Sequence, residues 1–96
     1  MRRDEALRIL SEHQEELNGF GVERLAIFGS VARNEAGPES DVDVLVEFSK
    51  PVGLFEFVRL QRYLEDVLGK PVHLTTEDAL KRQLRERVLG EAIAAT

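Results

Sequence analysis

Near the N-terminus apolar residues recur at helical spacing: Ala6, Leu7, Leu10 and Leu17 line one side of a helix predicted from Asp4 to Leu17. Asp4 is placed to cap its start and Asn18-Gly19 to stop it. The pattern then changes. Leu25, Ala26, Ile27 and Phe28 are nearly continuous, which predicts a strand from Glu23 to Phe28 buried on both faces. Ser30 to Asn34 predicts a short helix, and Glu35-Ala36-Gly37-Pro38 a turn. The Val-rich stretch from Asp41 to Phe48 reads as a second strand. Past Pro51-Val52-Gly53, a long amphipathic helix carries Leu54, Phe57, Leu60, Leu64, Val67 and Leu68 and ends at Gly69. Val72 to Thr75 is a short third strand. Thr75 or Thr76 caps a last helix whose stripe is Leu80, Leu84 and Val88. The pattern sets no end for that helix between Gly90 and Thr96.

The predicted order is α-β-α-β-α-β-α, in one domain spanning residues 1–96 without repeats or long linkers. Period-2 alternation puts Asp41 and Asp43 on the same face of their strand. Gly29-Ser30 closes strand one, and the aspartates open strand two. For these to form one site, the two strands must be antiparallel neighbours. The site then sits at one edge of the sheet, with helices packed on one face.

Composition narrows the function. Apolar residues make up 43% of the chain, enough for a compact core. There is no cysteine, which excludes disulfides and thiolate metal sites. No apolar run approaches the ~20 residues that span a bilayer, and MRRDEALRIL lacks the apolar centre of a signal peptide. The expectation is a cytoplasmic protein without membrane contact. A net charge of −5 argues against a general nucleic-acid coat. The basic cluster Lys81, Arg82, Arg85 and Arg87 reads as a solvated helix face.

The charged opening of strand two carries the chemistry. Two carboxylates on one strand face raise each other's pKa unless a cation lies between them. Their oxygens suit Mg²⁺, which takes one or two carboxylates and completes its shell with water and phosphates. Gly29 lets the backbone approach a phosphate closely, Ser30 adds a hydroxyl donor and Arg33 a positive charge one turn later. Ser40 supports the loop. Phosphates on one side and metals on the other form a phosphoryl- or nucleotidyl-transfer arrangement. Asp-x-Asp and Gly-Ser are each weak signals alone; the specificity lies in the combination of strand, Gly-Ser, spacer, Asp-x-Asp, strand.

Gly29-Ser30, the ten residues Val31 to Ser40, and Asp41-Val42-Asp43 resemble the signature of the DNA-polymerase-β-like nucleotidyltransferases. "FGSVARNEAGPESDVDVLV", "PVGLFEFVRLQRYLEDVLG" and "VHLTTEDALKRQLRERVLGEA" are similar to their smallest prokaryotic members, the minimal nucleotidyltransferase (MNT) domains, over nearly the whole chain. The resemblance implies an α+β nucleotidyltransferase fold with a small mixed sheet. It implies ATP as substrate and two Mg²⁺ ions, or Mn²⁺, held by Asp41 and Asp43. It also implies a partner, a HEPN-domain RNase toxin, for which the MNT protein is the antitoxin and to whose tyrosine it transfers AMP. Homo- or hetero-oligomers are compatible with such a pairing.

One residue departs from that pattern. Where the family carries a third carboxylate on strand three, this chain reads Val72-His73-Leu74. An imidazole is a poorer Mg²⁺ ligand, yet a neutral one can act as a base near pH 7. His73 is thus either a working base or a strand residue in a degenerate site, and Glu77 is a candidate substitute from the next helix. The alternative to catalysis is a non-catalytic antitoxin that blocks its toxin by binding. An antibiotic-modifying enzyme lacks an evident second domain for its acceptor. Elsewhere, His13, Arg59 and Arg62 read as surface residues and Tyr63 as a core-edge residue. Phe55 lies off the stripe of its helix and could join Leu17 and Phe20 in an interaction surface.

Overall fold

The computed structural model of the chain describes residues 1–95. Thr96, the last residue of the stretch in which the sequence pattern sets no helix end, lies outside the described residues. Four strands form one mixed sheet in the order β3-β2-β1-β4: β1 Val22–Phe28, β2 Val42–Phe48, β3 Val72–Thr75 and β4 Ile93–Ala94. β1 runs antiparallel to β2 and β4, and β2 runs parallel to β3. The expected antiparallel pairing of the first two strands is therefore present. β4 was not predicted, and it adds a strand to the expected order.

Among the described residues five α-helices accompany the sheet: α1 Arg3–Glu12, α2 Gln14–Gly19, α3 Gly29–Ala32, α4 Leu54–Leu68 and α5 Arg82–Glu91. Leu60, Leu64 and Leu68 of α4, with Ala6, Leu10 and Leu17, pack on the sheet face carrying Leu25, Ile27, Val42, Val44, Val46, Val72 and Leu74. Alternation along β2 leaves Asp43, Leu45 and Glu47 on the less covered face. Burial of leucines four apart on one stripe is what makes α4 stable, since helix formation alone supplies little. Gly69 ends it in the left-handed region at φ 66°, donating its N–H to the Glu65 carbonyl at 2.8 Å.

The N-terminal helix departs from the sequence pattern. His13 divides it, because its Nδ1 donates to the Ile9 carbonyl at 2.7 Å. The His13 backbone N–H turns instead to Leu10, one residue closer, and the ring packs edge-on against Tyr63. His13 is thus half-buried rather than a surface residue. Asp4 is not the cap. Arg2 holds that position without a side-chain bond, and Asp4 lies in the first turn, where its charge favours the dipole. Leu17 is fully buried and takes no part in an exposed surface, while Phe20 stacks against Tyr63 with centroids 5.1 Å apart.

The last helix also differs. Thr75 is buried in β3, and Thr76 leads into a single 3₁₀ turn, Glu77–Ala79. α5 begins only at Arg82. Leu80 therefore lies outside it, and Leu84 is exposed, leaving Val88 as its buried residue.

Edge strand β3 is held from α4. Gln61 Nε2 donates to the Val72 carbonyl, and Glu65 Oε2 accepts the Val72 N–H, each at 3.0 Å. One helical turn separates the two side chains, so together they grip both polar groups of one strand residue. That grip secures the register that brings the next residue, His73, opposite Asp43.

Candidate active site

Strand register assembles the site. Phe28, at the end of β1, pairs with Asp43 on β2, and Asp43 pairs with His73 on β3. The chain therefore leaves β1 at Gly29 beside the Asp43 side chain. Gly29 sits at φ 72°, and a Cβ there would collide with Asp43 Oδ2 and stand 3.0 Å from Cγ. Both constraints demand glycine. Asp41 immediately precedes β2 and is exposed. Ser30 follows in α3, and its hydroxyl has no hydrogen-bond partner among the described residues.

Electrostatics set Asp43 apart. Burial pushes its carboxyl above the usual range, and the Asp41 charge adds to this; His73 and Arg33 oppose it. His73 Nδ1 lies 3.3 Å from Asp43 Oδ1 with the imidazole 68% exposed, a long contact open to solvent. The carboxylate thus faces His73 through Oδ1 and Gly29 through Oδ2. A divalent cation between the aspartates would remove the penalty on ionised Asp43.

Arg33 and Gly29 already hold an anion from far along the chain. Glu91, the last residue of α5, accepts the Gly29 N–H at 3.0 Å. Its two oxygens also accept Arg33 Nη1 at 3.1 and 3.0 Å, while Arg33 Nε donates to Glu35 at 3.2 Å. Partial desolvation pushes the Glu91 carboxyl up, but the Gly29 N–H and the Arg33 guanidinium bring it below the usual carboxylate range. Glu91 was not foreseen. Nothing in its local sequence marks it, because its partners, Gly29 and Arg33, open and cap α3 far earlier in the chain.

The remaining predicted residues are more distant in role. Ser40 Oγ accepts the Gly37 N–H at 3.0 Å, closing the loop before β2 rather than reaching the aspartates. Lys70 Nζ ties that loop down through the Pro38 carbonyl at 2.9 Å. Glu77 lies exposed in the 3₁₀ turn and shows no bond to either aspartate. Among the described residues no cluster of three or more His, Asp or Glu forms a metal cage. The two carboxylates nonetheless suit Mg²⁺, which uses one or two carboxylates together with phosphate oxygens.

A concavity lies beyond these groups. A groove of about 910 Å³ is lined by Ala26, Leu45, Phe48, Phe57, Thr75 and Leu89, among others, and includes neither aspartate. Leu54, 77% exposed, stands at its rim. No helix among the described residues is long and apolar enough to cross a membrane.

The nucleotidyltransferase domain family matches residues 4–95. The protein adenylyltransferase MntA of Thermococcus cleftensis is 41% identical over 91 residues, covering 94% of this chain and 92% of that protein. The chain belongs to the nucleotidyltransferase family. A Methanocaldococcus jannaschii protein, provisionally named a protein adenylyltransferase, is 48% identical over 73 residues, 76% of this chain and 78% of that one. A solved structure provisionally named a minimal nucleotidyltransferase superposes with TM-score 0.83 at 38% identity, covering 97% of this chain and 95% of that one. A toxin–antitoxin complex with AMP-PNP shares the fold, at TM-score 0.75 and 17% identity over 91% of this chain and 72% of that one. This minimal nucleotidyltransferase therefore has the expected mixed α+β architecture.

Proposed function

We propose that this nucleotidyltransferase transfers AMP from ATP to a hydroxyl, a tyrosine of a HEPN-type toxin, and acts as that toxin's antitoxin. The observation carrying this reading is the β1–β2 register, which sets Gly29 against the Asp43 side chain, with Ser30 next after Gly29 and Asp41 two residues before Asp43. Support comes from relatives named protein adenylyltransferase. Further support comes from a complex of the same fold, at TM-score 0.66 and 15% identity, whose own HEPN toxin is tri-AMPylated.

Asp41 and Asp43 would hold a divalent ion, which would supply positive charge for the phosphates. Ser30 and Arg33 orient the triphosphate, and Gly29 allows its close approach. The acceptor oxygen bonds to the α-phosphorus, the α–β bridging P–O bond breaks, and pyrophosphate leaves with that bond's electron pair. With the Nδ1 proton of His73 directed at Asp43 Oδ1, the Nε2 lone pair takes the proton of the attacking hydroxyl. The acceptor approaches over the same open sheet face, along the groove between Leu45 and Leu89.

ATP should bind measurably with Mg²⁺ or Mn²⁺ and much more weakly in EDTA, because two close carboxylates repel a triphosphate until a cation lies between them. Calorimetry giving equal affinity in both conditions would remove the metal-site reading.

One observation favours a second reading, a binding-only antitoxin: His73 stands where the family pattern has a carboxylate, and no third acidic ligand joins the aspartates among the described residues. His73→Ala should lower AMP transfer roughly 100-fold if the imidazole is the base. A wild type that transfers no labelled AMP to its toxin, together with a His73→Asp variant that does, would instead identify a degenerate site.

A further inference from the structure

Glu91 is separated from Gly29 by 62 positions, yet its carboxylate sits on the donors that the nucleotide reading assigns to phosphate. Its two oxygens take the Gly29 N–H and the Arg33 guanidinium at 3.0–3.1 Å. These are the demands of a phosphate group: anionic oxygens fitted to a backbone N–H and a planar cation. A single N–H pointed at Glu91 cannot serve an incoming phosphate with equal geometry. Two anions on the same donors also repel strongly at this range. Arg33 cannot neutralise both, because its single positive charge already faces two carboxylates, Glu91 and Glu35. The Ser30 hydroxyl, by contrast, stands unengaged among the described residues and is open to a first contact.

The location of Glu91 adds a consequence. It ends α5, and the chain then enters β4, which among the described residues pairs with β1 at Ala26↔Ala94 and Ile27↔Ile93. The Ala95 N–H adds a bond to the Leu25 carbonyl at 2.8 Å. So short a strand depends on its flanking anchor, and Glu91 is that anchor's polar part.

We propose that Glu91 is a displaceable internal anion: it occupies the Gly29 N–H and Arg33 in the free protein, and the phosphates of a nucleoside triphosphate bind by expelling it, loosening the C-terminal strand. The proposal rests on the reading of the Gly29-Ser30 turn as a phosphate site. Whatever raises the fraction of protein in which these donors are free of Glu91 tightens nucleotide binding by the factor by which that fraction rises.

Glu91→Gln keeps the volume and an oxygen for Gly29 while removing the charge. Calorimetry on the full chain with Mg²⁺-ATP, and with inorganic triphosphate alone, should give roughly five- to tenfold tighter binding for this variant. Glu35→Gln removes the other carboxylate from Arg33 without touching Gly29, so it controls for general charge loss and should gain less. Equal gains in the two variants, or binding by Glu91→Gln no tighter than wild type, would overturn the displacement. Amide exchange in the wild type provides a readout independent of any variant's folding. Saturating Mg²⁺-ATP should speed exchange at Ala95 while leaving Gly29 protected by its new phosphate partner. Unchanged or slower exchange at Ala95 overturns the coupling to β4. The two levels of failure are distinct: a wild type that binds neither ATP nor triphosphate defeats the phosphate-site reading itself, and the proposal falls with it. Mg²⁺-dependent ATP binding that is indifferent to Glu91 defeats the displacement alone.

Discussion

Asp41→Asn combined with Asp43→Asn should abolish AMP transfer, by about a thousandfold or more, while leaving the fold and toxin binding intact. The loss corresponds to several kcal/mol of charge stabilisation in the transition state, which a cation can no longer supply without its carboxylates. The fold should survive because both substitutions preserve volume and neither aspartate lies in the apolar core. Burial in fact raises the Asp43 pKa above its unfolded value. Ionising it therefore lowers stability as pH rises from the usual carboxylate pKa through the raised one, and the penalty is full above that window. The amide escapes this penalty, so in metal-free buffer the variant's stability should lack that downward step with pH. In cells the variant should bind the toxin without neutralising it, and mass spectrometry should find no added AMP. Full protection by a folded double variant that no longer binds metal would defeat the enzymatic reading and support masking.

Gly29→Ala should destabilise the protein by about 1–3 kcal/mol, the usual strain of a non-glycine residue held in a rare backbone region. Against a total stability on the order of 5–15 kcal/mol, this is a large fraction. The effect on the site should be larger still. With φ at 72° and Asp43 Oδ2 where the methyl must go, the Asp43 side chain has to turn away from the turn it faces. Mg²⁺-dependent ATP affinity should fall with it. Gly19→Ala is the matched control, because a Cβ at Gly19 meets nothing within 4 Å; it should unfold at wild-type denaturant concentration or slightly above. Denaturant unfolding and calorimetry on both variants test the pair, and a Gly29→Ala protein with wild-type stability and ATP affinity would contradict this account of the turn.

Much of the architecture is legible in periodicity because the underlying forces are local. Leu60, Leu64 and Leu68 announce α4 by their spacing, and Gly69 ends it through a conformation that glycine adopts readily. The alternation of β2 puts Asp43 on one face and Val42 and Val44 on the other before any partner strand is known. Where a local rule met a competing interaction, the pattern misled. His13 breaks a continuous stripe because its ring competes for the Ile9 carbonyl. The stripe Leu80-Leu84-Val88 is interrupted because the chain makes a 3₁₀ turn before α5 begins.

The amino-acid sequence by itself determined the α+β class, the long helix α4, and the turn and aspartates of the candidate site. Each depends on residue type and short spacing, which the chain carries wherever it goes. The tertiary structure alone decided the rest. Two residues of β4 have no strand signal of their own and exist because the β1 edge offers them hydrogen bonds. His73 is set beside Asp43 by a parallel register thirty residues apart, gripped from α4 by Gln61 and Glu65. Glu91 reaches Gly29 and Arg33 only after the sheet and α5 have formed. Contacts of this kind join segments that do not constrain one another until the chain has closed the loops between them, so no local pattern records them.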